Sequence, residues 1–184
     1  MGLIHRNGPA LMDAANYSCR EELRDGTPVE IRSLRPDDET GMLAALDQVS
    51  ARTLQTRFFA PKRHISDKER AFFMQVDFKS HVALVACGAH EGRAAIIGGG
   101  RYIMSESMSA EMAFVVIDAW QERGIGSILM RHLIKIAKDD AGLMELTAEV
   151  LPENGAMIKI FGKFGFRPGS RRDPQTVHLV LTLT

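Results

Sequence analysis

Residues 111–127 read EMAFVVIDAWQERGIGS. From Glu111 to Ile117 the run is mostly β-branched or aromatic, which predicts a strand. A short loop follows and closes on two glycines, Gly124 and Gly126, where a helical pattern begins. Ile125, Ile128, Leu129, Leu133, Ile136 and Ala137 then recur with a helical period, predicting a helix from about Gly124 to Asp140 that Gly142 ends. First-turn amides of a helix have no intrahelical partner and point outward as donors. The helix dipole adds positive potential at the same place. Glycine removes the side chains that would hold a phosphate away from those amides. The stretch therefore predicts a cradle for a pyrophosphate. It is not a Walker A loop, because no Gly-Lys-Ser/Thr follows. It is not the dinucleotide fingerprint, because Leu129 occupies the third glycine position.

Working outward on the N-terminal side, His81–Cys87 and Ala94–Tyr102 read as two more strands, joined by a turn at Glu91-Gly92. With Glu111–Ile117 they predict an antiparallel meander. Before them lie three helical pieces. Pro36-Asp37-Asp38-Glu39 opens the first, with Met42, Leu43, Leu46 and Val49 at helical spacing. Ser50–Phe59 is the second. Ser66-Asp67-Lys68-Glu69 is a capping box for the third, which carries Phe72, Phe73 and Val76. Val29, Ile31 and Leu34 mark an opening strand. On the C-terminal side, Leu146, Ala148 and Val150 alternate with polar residues as a strand. Met157, Ile160, Phe161 and Phe164 form a short helix closed by Gly165, and Val177–Leu183 is a last strand. The order β, α, α, α, β, β, β, α, β, α, β predicts an α/β (mixed α+β) domain whose sheet has helices on both faces. Residues 1–26 read as an N-terminal extension and 27–184 as the domain.

The chain has 184 residues with 23 Lys+Arg and 23 Asp+Glu. A net charge of zero argues against a nucleic-acid partner, since phosphate backbones need a basic excess. The 45% apolar content excludes disorder, and no apolar run approaches the roughly 20 residues of a membrane span. Met1–Tyr17 lacks the basic and apolar regions of a signal peptide, so a cytoplasmic location and no membrane partner are expected. Cys19 and Cys87 are isolated in sequence and the six histidines are scattered, so free thiols and no metal site are expected.

Gln121-x-x-Gly124-x-Gly126, between an apolar strand and an amphipathic helix, resembles the acetyl-CoA signature of the GNAT N-acetyltransferase family, Q/R-x-x-G-x-G/A, at every fixed position. The resemblance runs from about residue 23 to 184. Leu23–Thr27 through Ile31-Arg32-x-Leu34-Arg35-Pro36-x-Asp38 is similar to the family's opening strand and first helix. Leu151-x-x-Asn154 and Phe164-Gly165-Phe166 are similar to the flanks of its last helix. Ser50-x-Arg52-Thr53-x-x-x-Arg57-Phe58-Phe59, Ala110–Phe114 and Trp120-Gln121 resemble the bacterial Pat-type protein lysine acetyltransferases, which act on acyl-CoA synthetases.

The resemblance implies the GNAT fold: a mixed, mostly antiparallel twisted sheet with a V-shaped splay between two central strands, where acetyl-CoA lies. It implies that backbone at Phe114, Val115 and Val116 binds the pantetheine arm. Amides of Gln121, Glu122, Arg123, Gly124, Ile125, Gly126 and Ser127 would hold the pyrophosphate, and Asn154 the amide arm from the other lip. Glu111 stands where the Pat-type enzymes carry a catalytic glutamate, with Glu106 a nearby rival in the turn Ser105–Ser109. Phe161, also in the cofactor site, stands where many members place a tyrosine that protonates the leaving thiolate, so that acid is missing here. The implied reaction is direct acetyl transfer from acetyl-CoA to a primary amine, foremost a lysine of a protein such as an acyl-CoA synthetase, by a monomer or homodimer. A small-amine acetyltransferase and an acyl-CoA-binding sensor are the alternatives. Basic residues Arg52, Arg57, Lys62 and Arg63 are expected at the acceptor rim, and Trp120 is expected to pack beside the loop.

Overall fold

The computed structural model describes residues 13–58, 66–105, 108–139, 143–170 and 173–183. In chain order the strands are β1 (Ser18–Glu22), β2 (Pro28–Ser33), β3 (His81–His90), β4 (Arg93–Met104), β5 (Ser109–Val116), β6 (Glu145–Val150), β7 (Arg167–Pro168) and β8 (Val177–Thr182). The helices are α1 (Glu39–Leu46), α2 (Ala51–Phe58), α3 (Asp67–Met74), α4 (Ile125–Asp139) and α5 (Gly155–Lys163). One eight-stranded sheet runs β1-β2-β3-β4-β5-β6-β8-β7. Every neighbouring pair is antiparallel except β5 and β6, which are parallel. The meander over β3, β4 and β5 and the crossover through α4 follow the sequence reading. No helix among the described residues is long and apolar enough to cross a membrane.

Side-chain alternation assigns the helices to two faces. A Cβ on Gly98 would approach Ile125, and one on Gly100 would lie 3.0 Å from Leu133, so those positions of β4 face α4. Phe114, opposite Gly100, shares that face and packs edge-on against Phe161 of α5 at 6.0 Å. Arg101, one residue on, points the other way and donates to the Phe73 carbonyl of α3 at 3.1 Å. Thus α4 and α5 cover one face, and α1 and α3 the other. The apolar stripe of α4 is buried, with Leu129 and Leu133 fully so. In β6, Leu146, Ala148 and Val150 are buried and the residues between them are half-buried, as alternation requires. Ser66 accepts from the Glu69 amide while the Glu69 carboxylate accepts from Ser66, completing the capping box of α3.

Three differences from the sequence reading have local causes. Ser18–Glu22, placed there in an extension, forms an edge strand paired in register with β2. Apart from Cys19 it is polar, and Ser18, Arg20 and Glu22 are exposed, so no apolar alternation betrays it. The helix carrying Phe72 and Phe73 stops at Met74, short of Val76. Asp77 takes up the amides of Lys79 and His81 at 2.9 and 2.8 Å and turns the chain into β3. The Pro36–Asp38 segment is a 3-10 turn leading into α1, because the Asp38 carboxylate is drawn back to Arg32 and to the Arg35 amide.

Candidate active site

The parallel pairing of β5 with β6 spans three residue pairs and ends at Glu111–Thr147. Beyond that point the strands part, leaving the V that the family resemblance implies. Which backbone groups face the gap follows from hydrogen-bond alternation. Ile117 N–H donates to the Ile97 carbonyl of β4 at 3.1 Å, so residues in step with it, Val115 and Ala113, also turn their amides and carbonyls to β4. The main chain of Met112, Phe114 and Val116 therefore points into the gap. The Val116 carbonyl accepting from the Gln121 side chain, and the Ala110 carbonyl from Thr147, lie on that side too. Of the three strand residues expected to bind an extended arm, Phe114 and Val116 offer backbone to it and Val115 does not. A cavity of about 360 Å³ fills the V, bounded by β5, the following loop, β6 and α5.

At the top of the V the chain makes a 3-10 turn at Asp118–Trp120 and enters α4. Glu122 and Gly124 both have positive φ, 61° and 96°, which coils the loop over the helix start. The first α4 bond runs from Ile128 N–H to the Gly124 carbonyl, so the amides of Ile125, Gly126 and Ser127 precede the helical ladder. A Cβ built on Gly126 meets no atom within 4 Å, and the same holds at Gly124. The fold itself does not need the small residue at Gly126. Open space over free amides at the positive end of a 15-residue helix is what an anion requires.

The side chains of the loop do a different job. Gln121 Nε2 donates to Thr53 Oγ1, the Val116 carbonyl and Asp118 Oδ1 at 3.0–3.2 Å. Asp118 in turn accepts from the Ser50 amide and the Thr53 hydroxyl, tying α2 to the loop. Arg123 donates to Asp25 Oδ2 at 2.7 Å and Thr27 Oγ1 at 3.0 Å, with its guanidinium 4.2 Å from the centre of the Trp120 ring. Asp25 also accepts from Thr27, whose amide donates to Oδ1 at 3.0 Å, and the bonds from Thr27 first and then Arg123 hold its carboxyl far below the usual range. Trp120 is buried and donates to His90 Nδ1 at 2.9 Å, so it packs beside the loop as expected. Ile125 is buried and offers only its amide, whereas Glu122 is exposed at the mouth.

Glu111 is exposed at the floor of the V. Its side chain shares a face with Ala113 and Val115, on the α1–α3 side of the sheet. Asn154 caps α5, its Oδ1 accepting from the Met157 amide at 3.2 Å, and the residue lines the cavity. Phe161 is 2% exposed and packs between Phe114 and Phe166, so it supports the cavity wall from behind. Glu106, Lys62 and Arg63, and the side chain of Arg57, lie outside the described residues, and Arg52 is exposed on α2.

Sequence reading missed several lining groups. Arg24 and Lys163 bring positive charge to the cavity. Glu149 also lines it, and its carboxylate accepts from His178 Nδ1 and Thr176 Oγ1 at 2.7 Å each. The polar alternation of β6 was the available signal for Glu149. Arg24 had none, because it reaches the site through the β1–β2 turn.

Residues 49–166 match the Acetyltransferase (GNAT) family. The chain belongs to this family. It is 29% identical over 163 residues to the acetyltransferase PA5475 of Pseudomonas aeruginosa, covering 86% of each chain. It is 31% identical over 149 residues to the acetyltransferase Pat of Mycolicibacterium smegmatis, covering 78% of this chain and 43% of that one. The GNAT domain of S. lividans PAT has the same fold, with a TM-score of 0.82 at 32% identity over 90% of this chain and 97% of the other. The protein is thus a GNAT acetyltransferase with a Pat-like sequence, and the splayed β5–β6 pair is the fold's central feature.

Proposed function

We propose that this GNAT acetyltransferase transfers the acetyl group of acetyl-CoA to the side-chain amine of a lysine on a folded protein, with Glu111 as the general base. The observation that carries the reading is the position of Glu111: an exposed carboxylate at the floor of a cavity whose other end is a pyrophosphate cradle. The residues present fit an acyl-CoA. The amides of Ile125, Gly126 and Ser127 would hold the pyrophosphate, with Arg24 and Lys163 adding charge. The open backbone at Phe114 and Val116 would pair with the pantetheine amides like an added strand. The Asn154 amide nitrogen would bind from the opposite lip. Acetyl-CoA supplies an activated acyl carbon.

A lysine amine has a pKa of about 10.4 and is protonated at neutral pH, so it cannot attack until it loses a proton. Glu111 takes that proton, directly or through one water. The amine nitrogen then bonds to the acyl carbon as the carbon–sulfur bond breaks. A main-chain amide facing the gap from β5 stabilises the charge that develops on the acyl oxygen. Phe161 has no proton to give, so water protonates the thiolate. A thiol of pKa about 8.5 leaves readily enough for that.

The protein acceptor rests on the likeness to proteins named Pat and on Ser50–Phe59 and Ala110–Phe114, and an acyl-CoA synthetase is the foremost partner. Substituting Glu111→Gln keeps the shape and removes the base. We expect kcat to fall by roughly 10²–10⁴-fold, with the deficit shrinking as pH rises, and CoA affinity to stay the same. Steady-state kinetics across pH and calorimetry with CoA check this. A wild-type rate at neutral pH in the variant would remove Glu111 from the mechanism.

A further inference from the structure

Outside the cleft, one cluster of metal-ligating side chains occurs among the described residues. Cys19 and Glu21 on β1 and His132 in the middle of α4 bring their ligand atoms within 4.8 Å of one another. Both β1 residues are half-buried while their neighbours Ser18, Arg20 and Glu22 are exposed, so the pair faces the helix. We propose that Cys19, Glu21 and His132 form a zinc-binding site that joins the edge strand to α4.

Thiolate, imidazole and carboxylate are the ligand types zinc takes in proteins, and a thiolate disfavours magnesium and calcium. The site is equipped beyond its three ligands. The imidazole of His132 is buried. The Tyr17 hydroxyl is hydrogen-bonded to His132 Nδ1, which fixes the ring and aims Nε2 at Glu21 Oε1, 2.9 Å away. Metal-bound imidazoles characteristically have such a partner on the other ring nitrogen. Arg131 holds the second carboxylate oxygen, Oε2, at 2.8 Å, leaving Oε1 to the cluster.

Distances are compatible with a small adjustment. Bond lengths of about 2.0–2.3 Å place the ligands of a tetrahedral zinc about 3.3–3.7 Å apart. Here Glu21 Oε1 lies 2.9 Å from His132 Nε2 and 3.9 Å from Cys19 Sγ. The third pair, Cys19 Sγ and the His132 ring nitrogen, lies within 4.8 Å, so side-chain rotations of roughly 1 Å at the tips bring the three ligands toward that spacing. The protons balance. Without zinc, His132 Nε2–H donates to the Glu21 carboxylate; on binding, Cys19 loses its thiol proton to solvent, Nε2 gives up its proton to solvent and Nδ1 takes one from solvent, so the ring stays neutral and Nδ1–H donates to Tyr17. Thiolate and carboxylate offset the dipositive ion, and water completes the fourth position on the half-exposed Cys19 side.

The test uses metal-free full-length protein titrated with Zn²⁺ by calorimetry and with Co²⁺ by absorption spectroscopy. The expected result is one ion per chain, a thiolate-to-cobalt charge-transfer band in the near ultraviolet, and a higher melting temperature with zinc. Cys19→Ser should abolish the band and weaken zinc binding by more than about tenfold, with unchanged circular dichroism and basal acetyl transfer. Cys87→Ser should bind as the wild type does. His132→Gln, which keeps a hydrogen-bonding group toward Tyr17, should also lose zinc. Absence of saturable zinc binding overturns the proposal. So does undiminished binding in Cys19→Ser, or a loss that follows Cys87 instead.

Discussion

At Gly126 a side chain would meet no protein atom within 4 Å, so the absence of one serves whatever approaches the helix from outside. Gly126→Val should therefore leave thermal unfolding nearly unchanged and weaken CoA binding by roughly tenfold or more, or about 1.4 kcal/mol. Calorimetric titration with CoA decides it, and an unaltered dissociation constant would remove the cradle from that helix start. Gly124 is a poorer probe, because its φ of 96° strains any replacement. The spacing of Gly124 and Gly126 after an apolar strand was legible, because local geometry makes the amides available. What the Arg123 side chain does was not legible, since its partner Asp25 is 98 positions away. Asn154 shows a subtler limit. An asparagine before a helical run reads equally as a cap and as a ligand, and its oxygen does the first.

The β5 strand works as an element because β4 presents glycines to it on the α4 side. A Cβ on Gly100 would fall 2.7 Å from the Phe114 ring and 3.0 Å from Leu133. Gly100→Ala should push the Phe114 ring toward Phe161 and into the cavity wall. We expect a loss of about 1–3 kcal/mol in urea unfolding together with weaker CoA binding. Unchanged stability would mean that the strand shifts freely, against the packing described. The pattern Ile96-Ile97-Gly98-Gly99-Gly100 announced a strand but not why it is so rich in glycine. That needs the α4 and β5 neighbours, which lie far along the chain. β1 was invisible for the opposite reason: a polar edge strand owes its place to β2 pairing rather than to an apolar period.

Across the whole molecule, the β3–β4–β5 meander and the crossover through α4 were readable because strands in series and one strand–helix–strand unit leave few arrangements. The internal tie between Arg32 and Asp38 was not. Both are buried, joined by two hydrogen bonds of 2.7 Å, and they fasten the start of α1 to β2. Burial works against the Asp38 carboxylate, but the bonds from Arg32 and the Arg35 amide outweigh it and hold its pKa below the ordinary value. A depressed folded-state pKa stabilises the protein above the unfolded value and loses that stability as pH falls through the folded one. Unfolding free energy should therefore decline below about pH 4. Asp38→Ala strands a buried guanidinium and should cost about 3–5 kcal/mol at pH 7, with a flatter acid limb in denaturant titrations. An acid limb as steep as the wild type's would place the titrating groups elsewhere. The central claim, a lysine acceptor on a folded protein, is tested most directly by incubating the enzyme with labelled acetyl-CoA and a soluble proteome and mapping the label by mass spectrometry. The account predicts acetyl-lysine on a small set of folded proteins, acyl-CoA synthetases foremost, at rates above those for polyamines, aminoglycosides or short lysine peptides. Faster turnover of a small amine than of every protein tested would contradict it.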